Sequence, residues 1–119
     1  MNKYIYFNSR DEFYRIHLSQ IVYFMADKNY TVLQLTNSQK LIFTFSLQKM
    51  QEYLMEKLQE DARIFARIGK SYIINLNYVY QIDTAKQKLK LFSEATQKEF
   101  SLSVSKEALK KLKMLFIPG

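Results

Sequence analysis

The sequence predicts a mostly β fold with short helices, one of them C-terminal, and three observations carry that expectation. Short apolar runs with a period of two recur along most of the chain, which marks strands with one wet face. Only two segments switch to a helical period, and each follows a serine suited to cap it. The single Pro, at 118, and the two Gly, at 69 and 119, leave no linker composition inside the 119 residues, so one domain is expected over 1–119.

The elements follow in order. Lys3 to Phe7 is aromatic and β-branched, and Glu12 to Ile16 follows the turn-like Asn8-Ser9-Arg10-Asp11. These first strands can pair with each other or with another subunit. Ile21 to Met25 is a continuous apolar run, and Asp27-Lys28-Asn29 reads as a turn. Tyr30 to Leu35 is the next strand, and Thr36-Asn37-Ser38 the next turn. Leu41, Phe43 and Phe45 then alternate with Ile42 and Thr44. Ser46 caps a helix from Leu47 to about Gln59, with Leu47, Met50, Leu54 and Leu58 as its apolar stripe. Later, Leu89 and Leu91 alternate with lysines, and Phe100, Leu102 and Val104 alternate with serines. Ser105 caps the last helix, Glu107 suits its first turn, and Leu109, Leu112 and Phe116 form its buried face. The pattern is that of a mostly antiparallel, β-rich domain.

Composition narrows the function. Hydrophobic residues are 48% of the chain, with nine Tyr and nine Phe, enough for a core without staples. With no Cys there is no disulfide framework and no thiolate metal site. No apolar run approaches a membrane span or a signal segment, so a cytoplasmic protein away from the membrane is expected. The glycine spacing excludes a P-loop and a dinucleotide fingerprint. His17 is the one histidine, better read as a satisfied or surface residue than as a zinc ligand or a catalytic base. Glu52 and Glu56 stand four apart on a helix, where a solvated face accounts for them. No enzyme, cofactor, metal or small-molecule substrate is expected. The net charge is +7, and it is lopsided. Residues 1–60 carry seven Lys/Arg against six Asp/Glu, and residues 61–119 carry eleven against five. Such a basic half suits a polyanion.

The most informative stretch is Phe65-Ala66-Arg67-Ile68-Gly69-Lys70-Ser71-Tyr72-Ile73-Ile74-Asn75-Leu76. Two apolar pieces flank a polar, basic centre, and Gly69 permits a turn there. That turn would display Arg67, Lys70, Ser71 and Tyr72. Such groups hold phosphates, and a lysine reaches guanine O6 and N7. A plain turn with solvated charges accounts for the same residues.

Phe65 through Asn75 resembles the core signature of the LytTR DNA-binding domain family, approximately Phe-x-Arg-Ile/Val-His/Gly-Arg/Lys-Ser-Tyr/Leu-Ile/Leu-Val/Ile-Asn. Ile21 to Tyr30 is similar to the family's Ile-x-Tyr-Ile-Glu-Ala-x-Gly-Asn-Tyr segment, and Leu102 to Lys106 to the Pro-Val-Ser-Arg segment that opens its last helix. The three pieces keep the family's order and spacing, and the resemblance runs from about residue 10 to residue 116. Met25 stands where the family often has Glu, Lys28 where it often has Gly, and Gly69 where it often has His. Lys70 and Lys106 replace Arg, which gives up bidentate geometry and changes which bases are read.

The resemblance implies an elongated stack of small antiparallel sheets whose edge loops enter neighbouring major grooves of double-stranded DNA. It implies a bacterial, response-regulator-like transcription regulator that binds direct repeats, as a weak or DNA-dependent homodimer. Relatives often carry a receiver domain or membrane segment ahead of the module, and neither is expected within these residues. The DNA-binding set it implies is Lys28, Asn29, Tyr30, Arg67, Lys70, Ser71, Tyr72, Ser105 and Lys106. Lys70 is assigned direct base contact, Asn29 or Tyr30 a base edge or phosphate, and Lys106 a phosphate or guanine. Arg67, Ser71 and Tyr72 are assigned to positioning the backbone. Tyr30 can equally pack at a strand start, Ser105 can serve only as a cap, and Lys110, Lys111 and Lys113 form a solvated face. Two other functions compete. The aromatic residues could stack single-stranded nucleic acid or RNA, or the basic half could meet an acidic protein. A small-ligand sensor has no support in the residues.

Overall fold

The computed structural model of the chain describes residues 3–117. Strands β1 (Tyr4–Asn8) and β2 (Phe13–His17) pair antiparallel with each other. The partnership that the sequence left open is therefore a local hairpin. Ile5 lies opposite Ile16 and Phe7 opposite Tyr14, so one face of the hairpin is apolar. The 3-10 turn Leu18–Gln20 follows, and the His17 side chain caps it by accepting the Ser19 N–H at 3.1 Å.

The central element is a five-stranded sheet. It contains β3 (Ile21–Asp27), β4 (Tyr30–Leu35), β5 (Lys40–Phe43), β6 (Phe65–Ile68) and β7 (Tyr72–Asn75), in the order β5-β4-β3-β7-β6. Every pairing is antiparallel. Helix α1 (Leu47–Leu58) and a 3-10 segment, Gln59–Ile64, connect β5 to β6. The continuous apolar run of β3 has a physical reason: the middle strand of this sheet is covered on both faces. Phe24 and Ile73 join the core beneath the β1–β2 hairpin and α1. Val22, Tyr23 and Ile74 join a second core on the opposite face. A register shift between Ile21 and Tyr23 lets Ile21 and Phe24 share a face despite their odd spacing.

The second core is closed by a three-stranded sheet and a helix. Strands β8 (Val79–Asp83), β9 (Lys88–Ser93) and β10 (Lys98–Ser103) pair in the order β10-β9-β8, and α2 (Lys106–Met114) follows. Leu89 and Leu91 from β9, and Leu109 and Leu112 from α2, fill it. The result is three small antiparallel sheets and a C-terminal helix, extending 44 × 32 × 27 Å.

Two helix caps form as expected. Ser46 accepts the Lys49 N–H, and Ser105 accepts the Ala108 N–H, both at 3.2 Å. Two expectations need correction. Phe116 is 48% exposed and lies outside α2, not on its buried face. Leu115 and Phe116 donate to the carbonyls of Leu112 and Lys113, three residues back. That tighter winding turns Phe116 away from the Leu109–Leu112 stripe. The alternation through Phe45 also overruns the strand: β5 ends at Phe43, and the Phe45 carbonyl instead accepts the Thr31 hydroxyl at 2.8 Å.

Candidate nucleic-acid interface

Antiparallel pairing sets two turns side by side at one end of the central sheet. Met25 of β3 lies opposite Tyr72 of β7, and the Ala26 N–H donates to the Ser71 carbonyl at 2.8 Å. Lys28-Asn29, between β3 and β4, and Gly69-Lys70-Ser71, between β6 and β7, therefore emerge next to each other. Thr31 pairs with Phe43, which brings the start of α1 to the same end.

The first turn has a two-residue tip, because Asp27 pairs with Tyr30. Lys28 adopts a positive φ of 57° there. This is the backbone that glycine takes most readily, and it accounts for the glycine that the resembling family often carries at this position. Lys28 and Asn29 are exposed, and Tyr30 is 47% exposed. In the second turn Gly69 has a φ of 57°, with nothing within 4 Å of where a Cβ would stand. Lys70 and Ser71 are exposed.

Arg67 and Tyr72 face the protein. The Arg67 guanidinium donates to the carbonyls of Gly69, at 3.1 Å, and Lys70, at 3.2 Å. It also donates to the Gln51 side chain at 2.7 Å and to Gln48 at 3.3 Å. One planar fork thus ties the β6–β7 turn to helix α1. Tyr72 is half-buried, its ring edge-on to Tyr23 with centroids 6.0 Å apart. Burial, with the Tyr72 phenol nearby, pushes the Tyr23 phenol above its ordinary value.

The third segment reaches this edge through α2. Arg67, Gly69, Ser105, Glu107 and Lys111 line a cavity of about 330 Å³ between the β6–β7 turn and the helix start. Ser105 and Lys106 are exposed beside it. Lys28, Lys70 and Lys106 form no ion pair among the described residues. Asp27 and Glu107 also lie at this edge, so its basic character rests on where the lysines protrude. Of the nine residues expected from the sequence, seven belong to the two adjacent turns and their flanking strand ends, and Ser105 and Lys106 begin α2 beside the β6–β7 turn. Arg67 and Tyr72 are half-buried and the other seven are exposed.

Three supporting residues escaped the sequence reading. Gln48 and Gln51 stand three apart on α1, a face-sharing spacing whose partner only the fold supplies. Asn75, which closes the central motif, is buried. Its side chain donates to the Ile21 carbonyl at 2.9 Å and accepts the Asn77 N–H at 3.0 Å. It locks β7 to the start of β3.

A family model described as the LytTr DNA-binding domain matches residues 11–117. A solved structure, the LytTr DNA-binding domain of a putative methyl-accepting/DNA response regulator from Bacillus cereus, aligns with a TM-score of 0.63 at 20% identity. The alignment covers 98% of each chain. At that identity the likeness establishes the fold. No curated protein matches the chain.

Proposed function

The chain belongs to the LytTr DNA-binding domain family, and from that premise we propose that it reads double-stranded DNA with the edge formed by the β3–β4 turn, the β6–β7 turn and the start of α2. Membership makes it a DNA-binding domain of transcription regulation, in a family that is not enzymatic. The observation that carries the finer reading is the convergence of three exposed segments, each with a lysine free of ion pairs among the described residues. Loops at such an edge fit successive major grooves, where Lys70 addresses a base and Asn29 or Tyr30 a base edge or phosphate. Lys106 sits at a helix N-terminus, where backbone N–H groups favour a phosphate. Arg67 acts on the protein side by fixing the turn that presents Lys70. Binding on direct repeats, with a weak or DNA-dependent homodimer, completes the proposal. Work on chromosomal DNA calls for a cytoplasmic location. Among the described residues no helix is long and apolar enough to cross a membrane.

The test is fluorescence anisotropy over a salt series with a duplex selected from a random pool, a scrambled duplex and the matching single strand. The expected result is at least about a thousandfold preference for the selected duplex at moderate salt. Equal binding to all three, or none, would overturn the sequence-specific reading. One observation favours the single-strand alternative: Tyr6 and Phe13 stack on the outer face of the β1–β2 hairpin, 5.9 Å apart and both exposed. Preference for the single strand, lost in Tyr6→Ala, would select it.

A further inference from the structure

Away from the turn residues assigned to DNA, five aromatic rings from separate parts of the chain converge on one cavity. Phe7 of β1, Tyr14 of β2, Phe43 of β5, Phe45 beyond it and Tyr53 of α1 line a volume of about 310 Å³. The rings support each other. Phe7 lies 4.6 Å from Phe43 and 5.4 Å from Tyr53, and Phe43 lies 5.7 Å from Phe45, centroid to centroid. The Tyr53 hydroxyl donates to the Tyr6 carbonyl, which pins α1 to the hairpin. Glu12 is the charged residue among the lining side chains, and neither Lys nor Arg lines the cavity. Its carboxylate accepts the Tyr14 hydroxyl at 2.9 Å. That hydrogen bond is the main reason the Tyr14 phenol is raised from its ordinary value.

A carboxylate beside aromatic walls has a definite chemical preference. Ring faces carry partial negative charge and attract cations, most strongly poorly hydrated ones. The volume is at the small end of ligand sites, which fits a compact molecule. In a chain of net charge +7, this is a local environment of opposite character. We propose that the cavity is a binding site for a small organic cation of the quaternary or tertiary ammonium class, its alkyl groups against the rings and its charge near Glu12. The Lys57 ammonium already stands 5.7 Å from the Tyr53 ring centre, so one ring of the set engages a cation in the folded chain. The sequence offered no hint of this site, because its rings come from four elements and the loop after β5, up to 46 positions apart.

The test is an amide-resolved NMR titration of the whole chain with choline and with its uncharged carbon isostere, 3,3-dimethylbutan-1-ol. Saturable shifts confined to residues around Tyr14, Phe43, Phe45 and Tyr53 are expected, with choline binding at least about fivefold tighter than the isostere. Glu12→Gln should weaken choline and leave the isostere unchanged. Glu12 is exposed, so this variant does not threaten folding. Equal affinity for the two probes would make the cavity an unselective apolar pocket and overturn the proposal. Shifts that do not saturate, or that fall elsewhere, would overturn it as well.

Discussion

Lys70 and Lys28 occupy neighbouring turns, yet chemistry separates their roles. Lys70 is exposed on a turn whose backbone Arg67 holds with two hydrogen bonds, so its ammonium is delivered from a defined base. Lys70→Ala is expected to cost about 1–3 kcal/mol on the selected site and to relax one base preference. Anisotropy with single-base variants of that site measures both effects, and equal losses on scrambled DNA would reduce Lys70 to a phosphate contact. Lys28 instead bears a conformational cost, since its φ of 57° is unfavourable for any residue with a Cβ. Lys28→Gly should raise stability by about 1 kcal/mol in denaturant unfolding. In the same protein the salt slope of DNA binding should fall by about one unit. Gain of stability without change of slope would remove Lys28 from the interface.

Helix α2 joins two duties at its first turn, and they can be separated. Ser105 satisfies the Ala108 N–H, a structural task, whereas Lys106 is an exposed charge one residue on. Ser105→Ala is expected to lower stability by about 1 kcal/mol with little change in the salt slope. Lys106→Ala should leave the thermal midpoint in place and lower the slope by about one unit. If Ser105→Ala changes affinity on the selected duplex but not stability, the hydroxyl is a DNA contact and not a cap. Strand β8 shows why some elements stay hidden. Its register shifts between Val79 and Gln81, and that irregularity breaks the two-residue period by which β9 and β10 are readable.

Across the whole molecule, burial raises phenols that tie the layers together, Tyr23 and Tyr78 among them. Tyr23 belongs to the core between the central and three-stranded sheets. Tyr78 donates its hydroxyl to the Ser19 carbonyl and is pushed up by burial. Both folded values lie above the ordinary value of about 10, so the folded state holds these protons more tightly than the unfolded chain. Their contribution is complete below that value and is lost as pH rises through the folded values. Stability should therefore fall as pH rises above about 10 in denaturant unfolding. The double variant Tyr23→Phe, Tyr78→Phe should show a shallower fall. An identical fall would assign the alkaline transition to other groups.

The sequence by itself determined the local order: β3, β4 and α1, both serine caps, the turn at Gly69 and the exposure of Lys28, Lys70 and Lys106. Those features depend on period, capping and backbone freedom, which act over a few residues. Motif order was enough to carry the family, since Ile21–Tyr30, Phe65–Asn75 and Leu102–Lys106 keep their spacing along the chain. Tertiary structure alone decided which exposed residues meet at one edge, because that follows from the antiparallel pairing of β3 with β7, whose paired residues lie nearly fifty positions apart. It also decided that Arg67 and Tyr72 turn inward. A guanidinium or a phenol is equally suited to water, DNA or protein, and its partner depends on which side chains the fold brings within reach. The convergence of Phe7, Tyr14, Phe43, Phe45 and Tyr53 belongs to the same class: each ring is ordinary packing material in its own strand, helix or loop, and only the fold makes them walls of one cavity.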